Sequence, residues 1–219
     1  MEGENGLFQS VLLKEVVIEP NVKLECVPKF CYLGDTLGAG GGVEEAARAR
    51  VRCAWAKFKE LSPILTARGA SYRIKGKIYK ACVQSALTYG TETWAMKKAN
   101  LQSLERMERM MVRWMCGVSL KDRKRSVDLY SLLGVPSIDE VVRRGRLRWF
   151  GHVERKSGDD WVSACRNVVV AGVRCAGRGR KTWRECVRDD MEELGLHPEW
   201  VVFRDMWRDL ISGKTSDPS

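Results

Sequence analysis

The chain has little of what most enzymes and membrane proteins carry. It contains 2 histidines and 8 cysteines, and no two cysteines form a Cys-x-x-Cys pair, so the spacing of a structural zinc site is missing. It has no signal peptide, and no apolar run approaches the roughly 18 residues of a membrane span. We therefore expect an intracellular protein, nuclear or cytoplasmic, that has no membrane partner and keeps its cysteines reduced and buried.

Motifs of phosphate binding and hydrolysis are also missing. Four glycines between residues 38 and 42 precede a helical pattern, but the Gly-Lys-Ser/Thr ending of a P-loop does not follow them. The two histidines, His152 and His197, lie in no recognisable nucleophile or metal motif. The sequence therefore predicts a flexible linker at the glycines and disfavours a self-contained hydrolase.

Positive charge is present in excess, and it is concentrated in the middle of the chain. The 219 residues have a formal net charge of +10. Residues 62–142 contain 14 basic and 7 acidic side chains, and residues 143–184 contain 12 basic and 3 acidic ones, whereas both ends are net acidic. Such a local excess is typical of proteins that bind a polyanion. We expect nucleic acid as the partner, and a basic surface that only maintains solubility is the alternative.

Apolar periodicity predicts a mainly α-helical fold that begins with a short antiparallel β-hairpin. Residues 22–26 alternate apolar with charged side chains, and residues 30–33 form a second short strand that ends at Gly34. From Val43 onward the pattern is helical. We divide the chain into a hairpin with a linker (1–42), a helical bundle (43–135), a basic helical unit (136–212) and a disordered tail (213–219).

The first two helices of the bundle have a predicted end and a predicted face. Pro63 should end the first helix, because proline cannot continue a helical hydrogen-bond ladder. In the second helix, Ile74, Ile78, Cys82 and Ala86 repeat every four residues, flanked by Tyr79 and Val83. We expect these side chains to form its packed face.

Two later helices begin with the spacing of a capping box. Ser137 precedes Glu140 by three residues, and Thr182 precedes Glu185 by three. In the first of these helices, Trp149 shares a face with apolar residues on a 3.6-residue wheel. We therefore expect Trp149 to be a core residue rather than a platform for base stacking.

Four short segments, taken together and in order, match one known family. They are Tyr32-Leu33-Gly34, residues 87–94 (LTYGTETW), residues 146–153 (RLRWFGHV) and residues 177–183 (GRGRKTW). The series resembles the region that follows the polymerase palm in the reverse transcriptases of non-LTR (LINE-type) retrotransposons. It extends over about residues 20–210, and Gly179 stands where the family usually has proline.

The resemblance implies roles for the three parts of the chain. The hairpin that ends in Tyr-Leu-Gly resembles the primer grip, which lies against the primer backbone, and the helices after it resemble the thumb and the post-thumb region. These parts would hold an RNA–DNA hybrid, RNA or DNA by its phosphates without reading its sequence. The residues expected to contact nucleic acid are Tyr32, Leu33, Gly34, Arg143, Arg144, Arg146, Arg148, Arg174, Arg178, Arg180 and Lys181.

The catalytic centre of that family has no counterpart in these residues. Such polymerases carry a Tyr/Phe-x-Asp-Asp turn upstream of the primer grip, whereas the adjacent aspartates here, at 159–160 and 189–190, lie far downstream. The C-terminal zinc knuckle of some relatives is missing as well. We expect this chain alone to be inactive, with no catalytic residue, metal site or cofactor. The intact polymerase would need a divalent metal ion, with Mg²⁺ expected.

Three interpretations stay open at this stage. The chain could be a nucleic-acid-binding unit of a reverse transcriptase. It could be a truncated version of a longer polyprotein, whose upstream fingers and palm would then be its partners. It could also be a decayed or co-opted remnant that acts as a helical protein-interaction module or has no function.

Overall fold

A computed structural model describes residues 15–19, 22–32, 34–38, 42–168 and 179–213. This part of the chain is mainly helical and begins with short β-hairpins, which confirms the predicted fold class. The strands are β1 (Glu15–Glu19), β2 (Val22–Glu25), β3 (Lys29–Tyr32) and β4 (Asp35–Gly38). The α-helices are α1 (Glu44–Leu65), α2 (Tyr72–Ile78), α3 (Ser85–Thr88), α4 (Lys98–Cys116), α5 (Ser126–Leu133), α6 (Ile138–Glu154), α7 (Trp161–Asn167), α8 (Trp183–Leu194) and α9 (Arg204–Ile211). A π-helical turn (Tyr79–Gln84) joins α2 to α3, and short 3₁₀ turns lie at Thr91–Thr93, Leu120–Asp122 and Pro198–Val202.

The strands pair differently from the prediction. The segments at 22–26 and 30–33 were expected to pair with each other, but β1 pairs with β2 and β3 pairs with β4, each pair antiparallel. The reason lies at Gly34, whose φ of +78° is left-handed and allows a tight reversal of the chain before β4. The chain therefore reverses onto β4. Gly38, predicted as linker, is the last residue of that strand, and Gly40 and Gly41 lie outside the described residues.

Helix α1 continues two residues past Pro63, so proline does not end it as predicted. A proline at this position leaves the carbonyl of Lys59 without its usual helical donor. The hydroxyl of Ser62 donates to that carbonyl at 2.8 Å instead. Because the bond is replaced locally, the last turn stays helical.

The predicted packed face of the second helix is only partly right. Tyr79 and Val83 are fully buried, as is Leu87, but Ile74 and Cys82 are exposed. The π-helical turn at Tyr79–Gln84 shifts the angular register of the side chains within and after it, which accounts for the exposure of Cys82 and the burial of Leu87 but not for Ile74, which precedes it. Sequence periodicity of 3.6 residues does not anticipate that shift.

A buried carboxylate joins four elements of the bundle. Glu108 on α4 is fully buried and accepts hydrogen bonds from the hydroxyls of Tyr79 and Tyr130, the side-chain amide of Gln84 and the backbone N–H of Ile138. Burial raises the pKa of Glu108, and these four donors oppose that rise. The network fixes the π-helical turn and the start of α6 relative to α4 and α5.

Two hydrophobic clusters meet along α6. The larger one contains Phe58, Leu104 and Met111 and extends to Val142, and the smaller one begins at Leu147. The smaller cluster joins α6 to α8 and α9 through residues such as Val187, Met191 and Trp207. Helix α6 therefore contributes to both clusters, with its first half in one and its second half in the other.

Both predicted helix starts are confirmed. The Ser137 hydroxyl accepts from the Glu140 N–H at 3.3 Å, and α6 begins at the next residue. Thr182 and Glu185 form a complete capping box at the start of α8. These signals depend only on neighbouring residues, so packing elsewhere in the chain does not alter them.

The expectation of buried cysteines is wrong for most positions. Cys186 is buried and Cys116 is partly buried, but Cys26, Cys31, Cys53, Cys82 and Cys165 are exposed thiols. Cys175 lies outside the described residues, as does most of the predicted tail. No helix within the described ranges is both long and apolar enough to cross a membrane.

Candidate nucleic-acid interface

The turn that matches the primer grip packs against the second matched segment. A Cβ on Gly34 would lie 3.8 Å from the Arg50 guanidinium and 3.9 Å from the Tyr89 ring. One residue further, the Asp35 carboxylate accepts from the Trp94 indole N–H at 3.1 Å. Tyr32 is exposed, and Leu33 lies outside the described residues. The first two motifs are therefore in contact in the fold.

The third and fourth motifs join the same series of contacts. The Trp183 indole N–H donates to the Glu92 carbonyl at 2.8 Å, and the Trp183 ring lies 6.3 Å from the ring of Phe150. The indole N–H of Trp207 donates to the Leu147 carbonyl at 3.0 Å. Tryptophans thus hold together segments about 60 to 90 residues apart in sequence. The four matched segments form one connected region of the molecule.

On the side of α6 that faces α8, the predicted arginines bind carboxylates of this same chain. Arg146 donates to Asp190 at 2.6 Å, and the two side chains are only 7% and 14% exposed. Arg143 is paired with Glu193 and lies 3.7 Å from Asp139. Burial raises the pKa of Asp190 to about 6, although the Arg146 charge opposes the rise. These two arginines serve the contact between α6 and α8.

The predicted basic segment before α8 is only partly described. Lys181 pairs with Asp189 at 2.6 Å, and both groups are half exposed. Arg180 is exposed and lines a small cavity of about 320 Å³ beside β4 and the start of α1. Arg174 and Arg178 lie outside the described residues.

On the opposite side of α6, a groove of about 690 Å³ opens between this helix, the π-helical turn and α9. Two of the arginines predicted to bind nucleic acid, Arg144 and Arg148, line this groove. Arg144 is paired with Glu140 on its own helix. The groove also gathers four cations that sequence analysis did not select, from three separate parts of the chain. They are Lys80, Arg155, Arg204 and Arg208.

Charge in the groove is unbalanced. Glu92 is the one acidic side chain among its lining residues. Within the part of the chain that the structure describes, Lys80, Arg148 and Arg204 have neither an ion pair nor a hydrogen bond. Arg155 donates to the Val201 carbonyl at 2.8 Å, and its pKa is lowered by burial and by the nearby charge of Arg204. Like charges held this close are stabilised by a bound anion.

Trp149 faces this groove, so the expectation that it belongs to the core is wrong. Its side chain is 38% exposed, and neither hydrophobic cluster contains it. Its ring centre lies 5.4 Å from that of His152, with 32° between the two planes. The helical wheel placed Trp149 near Val142, but the second half of α6 packs against α8 and α9, and there Leu147 and Val153 are buried instead.

The groove cations could not be identified from sequence because they come from unrelated contexts. Arg204 and Arg208 lie in the C-terminal segment, in which acidic residues outnumber basic ones. Lys80 belongs to the helix whose register is shifted by the π-helical turn. The nearest signal in the sequence was the spacing on α6, where Trp149 and Arg155 each lie three positions from His152 and so share one face of the helix.

The chain is 28% identical over 174 residues to a Caenorhabditis elegans protein named as an uncharacterized transposon-derived protein. The aligned region covers 77% of this chain and 62% of that protein, so the chain spans less than two thirds of its relative. No protein-family model matches the chain, and no solved structure matches it. The similarity supports a transposon-related origin.

Proposed function

We propose that this chain is the thumb and post-thumb part of a non-LTR retrotransposon reverse transcriptase, and that it binds the phosphate backbone of nucleic acid. The observation that carries the binding proposal is the groove between α6 and α9, in which Lys80, Arg148 and Arg204 have no carboxylate partner among the described residues. Support for the family comes from the four motifs and from the transposon-derived relative.

The electrostatic argument separates this groove from the rest of the basic surface. Arginines that are already paired, such as Arg143 and Arg146, would have to break those pairs before they could bind phosphate. Cations without partners bind phosphate by displacing only water and counterions. We therefore propose that the groove cations contact phosphate. Arg143 and Arg146 only help to shape the groove.

Polymerisation itself is proposed only for the complete protein. The present 219 residues contain no Tyr/Phe-x-Asp-Asp turn. A palm domain would supply those carboxylates and hold the Mg²⁺ ions, while this chain would hold the template–primer beside it.

The first experiment is binding of a fluorescently labelled RNA–DNA hybrid and of its single RNA strand, followed by anisotropy between about 50 and 200 mM salt. With four phosphate contacts, affinity should fall roughly 50-fold over this range for the single strand and roughly 150-fold for the hybrid. The double variant Arg148→Ala/Arg204→Ala, which removes two cations without partners in the described residues, should bind at least about tenfold more weakly and depend less on salt.

The matched control removes the same charge elsewhere. Arg48 and Arg188 are exposed, lie outside the groove and make only exposed ion pairs. Arg48→Ala/Arg188→Ala should leave affinity nearly unchanged. Equal losses in the two double variants, or no binding by the folded chain, would refute a role for the groove.

The segment that contains Arg178, Arg180 and Lys181 is proposed as a second backbone contact. Its triple alanine variant should reduce affinity beyond the loss caused by the groove variant. If the two losses do not add, the segment and the groove do not contribute independently.

One observation favours a second candidate function, contact with another protein. Phe30, Tyr32 and Leu37 are all exposed on the β3–β4 hairpin, and the rings of Phe30 and Tyr32 stack 6.3 Å apart. Exposed apolar groups on a two-stranded hairpin are typical of a surface that another chain covers. A Phe30→Ser/Leu37→Ser variant that gains solubility without losing RNA affinity would support this function for the hairpin.

A further inference from the structure

The groove offers an aromatic surface as well as positive charge. Trp149 and His152 lie side by side on α6 and both line the groove. Arg148 precedes this pair along the helix, and Arg155 follows it. Cations thus stand on both sides of an exposed aromatic pair, which is the arrangement with which proteins bind unpaired nucleic acid.

The exposure of Trp149 has no structural explanation within the described residues. Trp183 and Trp207 of the same unit each donate an indole hydrogen bond to a backbone carbonyl, at 2.8 and 3.0 Å. Trp149 makes no such bond in the described part of the chain and lies outside both hydrophobic clusters. More than a third of the surface of Trp149 is left open in a groove lined by cations, where it is available to whatever enters.

The shape of the groove decides between a paired and an unpaired base. In a duplex, both faces of each base are covered by its neighbours, so only a splayed or unpaired base can stack on a protein ring. A groove of about 690 Å³ is in the size range of pockets that enclose a single ligand. It can receive a short unpaired stretch, whereas a duplex could only lie across its opening.

We propose that Trp149, together with His152, is a stacking platform for an unpaired base of a single strand whose phosphates bind Arg148, Arg155 and Arg204. This inference rests on the proposed nucleic-acid binding and specifies its substrate class. It assigns the groove to single-stranded RNA or DNA, such as a template beyond the paired region, rather than to the hybrid duplex itself.

The test compares a single strand with and without its bases, and an unpaired strand with a duplex. The probes are a labelled single strand of 12 thymidines, the same sugar-phosphate backbone with abasic sites throughout, and a blunt RNA–DNA hybrid of equal length. The full chain should bind the thymidine strand roughly tenfold more tightly than the abasic strand, because one stacked base contributes about that factor. It should bind the hybrid more weakly than the thymidine strand.

Variants of the chain then show whether Trp149 causes the preference for the thymidine strand over the abasic strand. Trp149→Leu should make the thymidine and abasic strands bind equally, and Trp149→Phe should keep most of the preference because it keeps an aromatic face. The control is Trp161→Leu, since Trp161 is 85% exposed but does not line the groove. It should leave the preference unchanged.

The outcomes distinguish the stacking platform from the backbone binding on which it rests. Equal binding of thymidine and abasic strands by the unaltered chain would overturn the stacking platform while leaving backbone binding intact, and this comparison needs no variant to fold. An equal loss of both ligands in Trp149→Leu would also overturn it, because the residue would then act only on the shape of the groove. Failure to bind any of the three probes would overturn the proposed function itself.

Discussion

Helix α6 has arginines on the side that faces α8 and on the side that faces α9. The two sides differ in the charges that surround these arginines. Toward α8, Arg146 meets the carboxylate of Asp190 at 2.6 Å in a nearly buried pair. Toward α9, Arg148 and Arg155 meet further cations, among them Arg204. One side is neutralised within the protein, and the other has a positive charge that an external anion can neutralise.

This difference shows why the number of arginines does not define a binding site. All four predicted arginines of α6 lie within six residues, and they contribute equally to the net charge. What separates them is the helix that each one faces, which is a property of the tertiary structure. The paired arginines should therefore matter for stability, and those in the groove for binding.

The largest expected effect is on stability, at the side of α6 where arginines pair with carboxylates of α8. Arg146→Ala would leave the Asp190 carboxylate buried without its partner, and we expect the free energy of unfolding to fall by about 3–5 kcal/mol. Chemical denaturation followed by circular dichroism measures it. Arg146→Met/Asp190→Leu should be much less harmful, because no charge is then left unpaired. A single-variant loss below about 1 kcal/mol would contradict the distinction between the two sides.

The next effect concerns the packing that separates the two sides. A Cβ on Gly151 would lie 2.6 Å from the indole nitrogen of Trp207, so Gly151→Ala should push α9 outward and destabilise the fold by about 1–3 kcal/mol. Gly145 on the same helix is the matched control. Its Cβ would meet nothing closer than 4.0 Å, at Glu92. Gly145→Ala should be neutral or stabilise by up to about 1 kcal/mol, and equal losses in the two variants would refute this packing.

A smaller effect is expected in the pH dependence of stability. Burial raises the pKa of Asp190 to about 6, so between about pH 4 and 6 the folded state binds more protons here than the unfolded state. The contribution of Asp190 to the free energy of unfolding should therefore decrease as the pH rises through this window. We expect a change on the order of 1 kcal/mol in the difference between the unaltered chain and Asp190→Asn. A constant difference from pH 4 to 7 would contradict a raised pKa.

The smallest effect on stability is predicted for the groove side. Arg148→Ala should change the free energy of unfolding by no more than about 0.5 kcal/mol, because the side chain is exposed and has no ion pair within the described residues. The same variant should weaken single-strand binding several-fold and reduce the slope of log K against log salt by about 0.7. Thermal melting and anisotropy on one sample measure both quantities. A stable variant with unchanged affinity would remove Arg148 from the site.

The sequence predicted well those features that local chemistry determines. The starts of α6 and α8 follow from Ser137 and Thr182, whose side chains bind the first free N–H groups of each helix. The mainly helical fold follows from apolar periodicity in the same way. Such signals need only three or four neighbouring residues to act.

Features that depend on distant contacts were predicted poorly. The partner of β3 was wrong because the left-handed turn at Gly34 directs the chain onto β4. The position of Trp149 was wrong because the second half of α6 packs against α8 and α9 rather than against the bundle. Within the groove, Arg204 lies more than 50 residues from Arg148, so no local pattern could bring them together.

Photo-cross-linking tests the central claim most directly. A single RNA strand that carries 4-thiouridine would be irradiated with the chain, and the attachment sites would be located by mass spectrometry. Our account predicts adducts within the groove, on α6 at Trp149 or His152 and at the start of α9, and predicts their loss in Arg148→Ala/Arg204→Ala. Adducts confined to α1 or to the α8 side of α6, and unaffected by that variant, would contradict the assignment of the groove as the nucleic-acid interface.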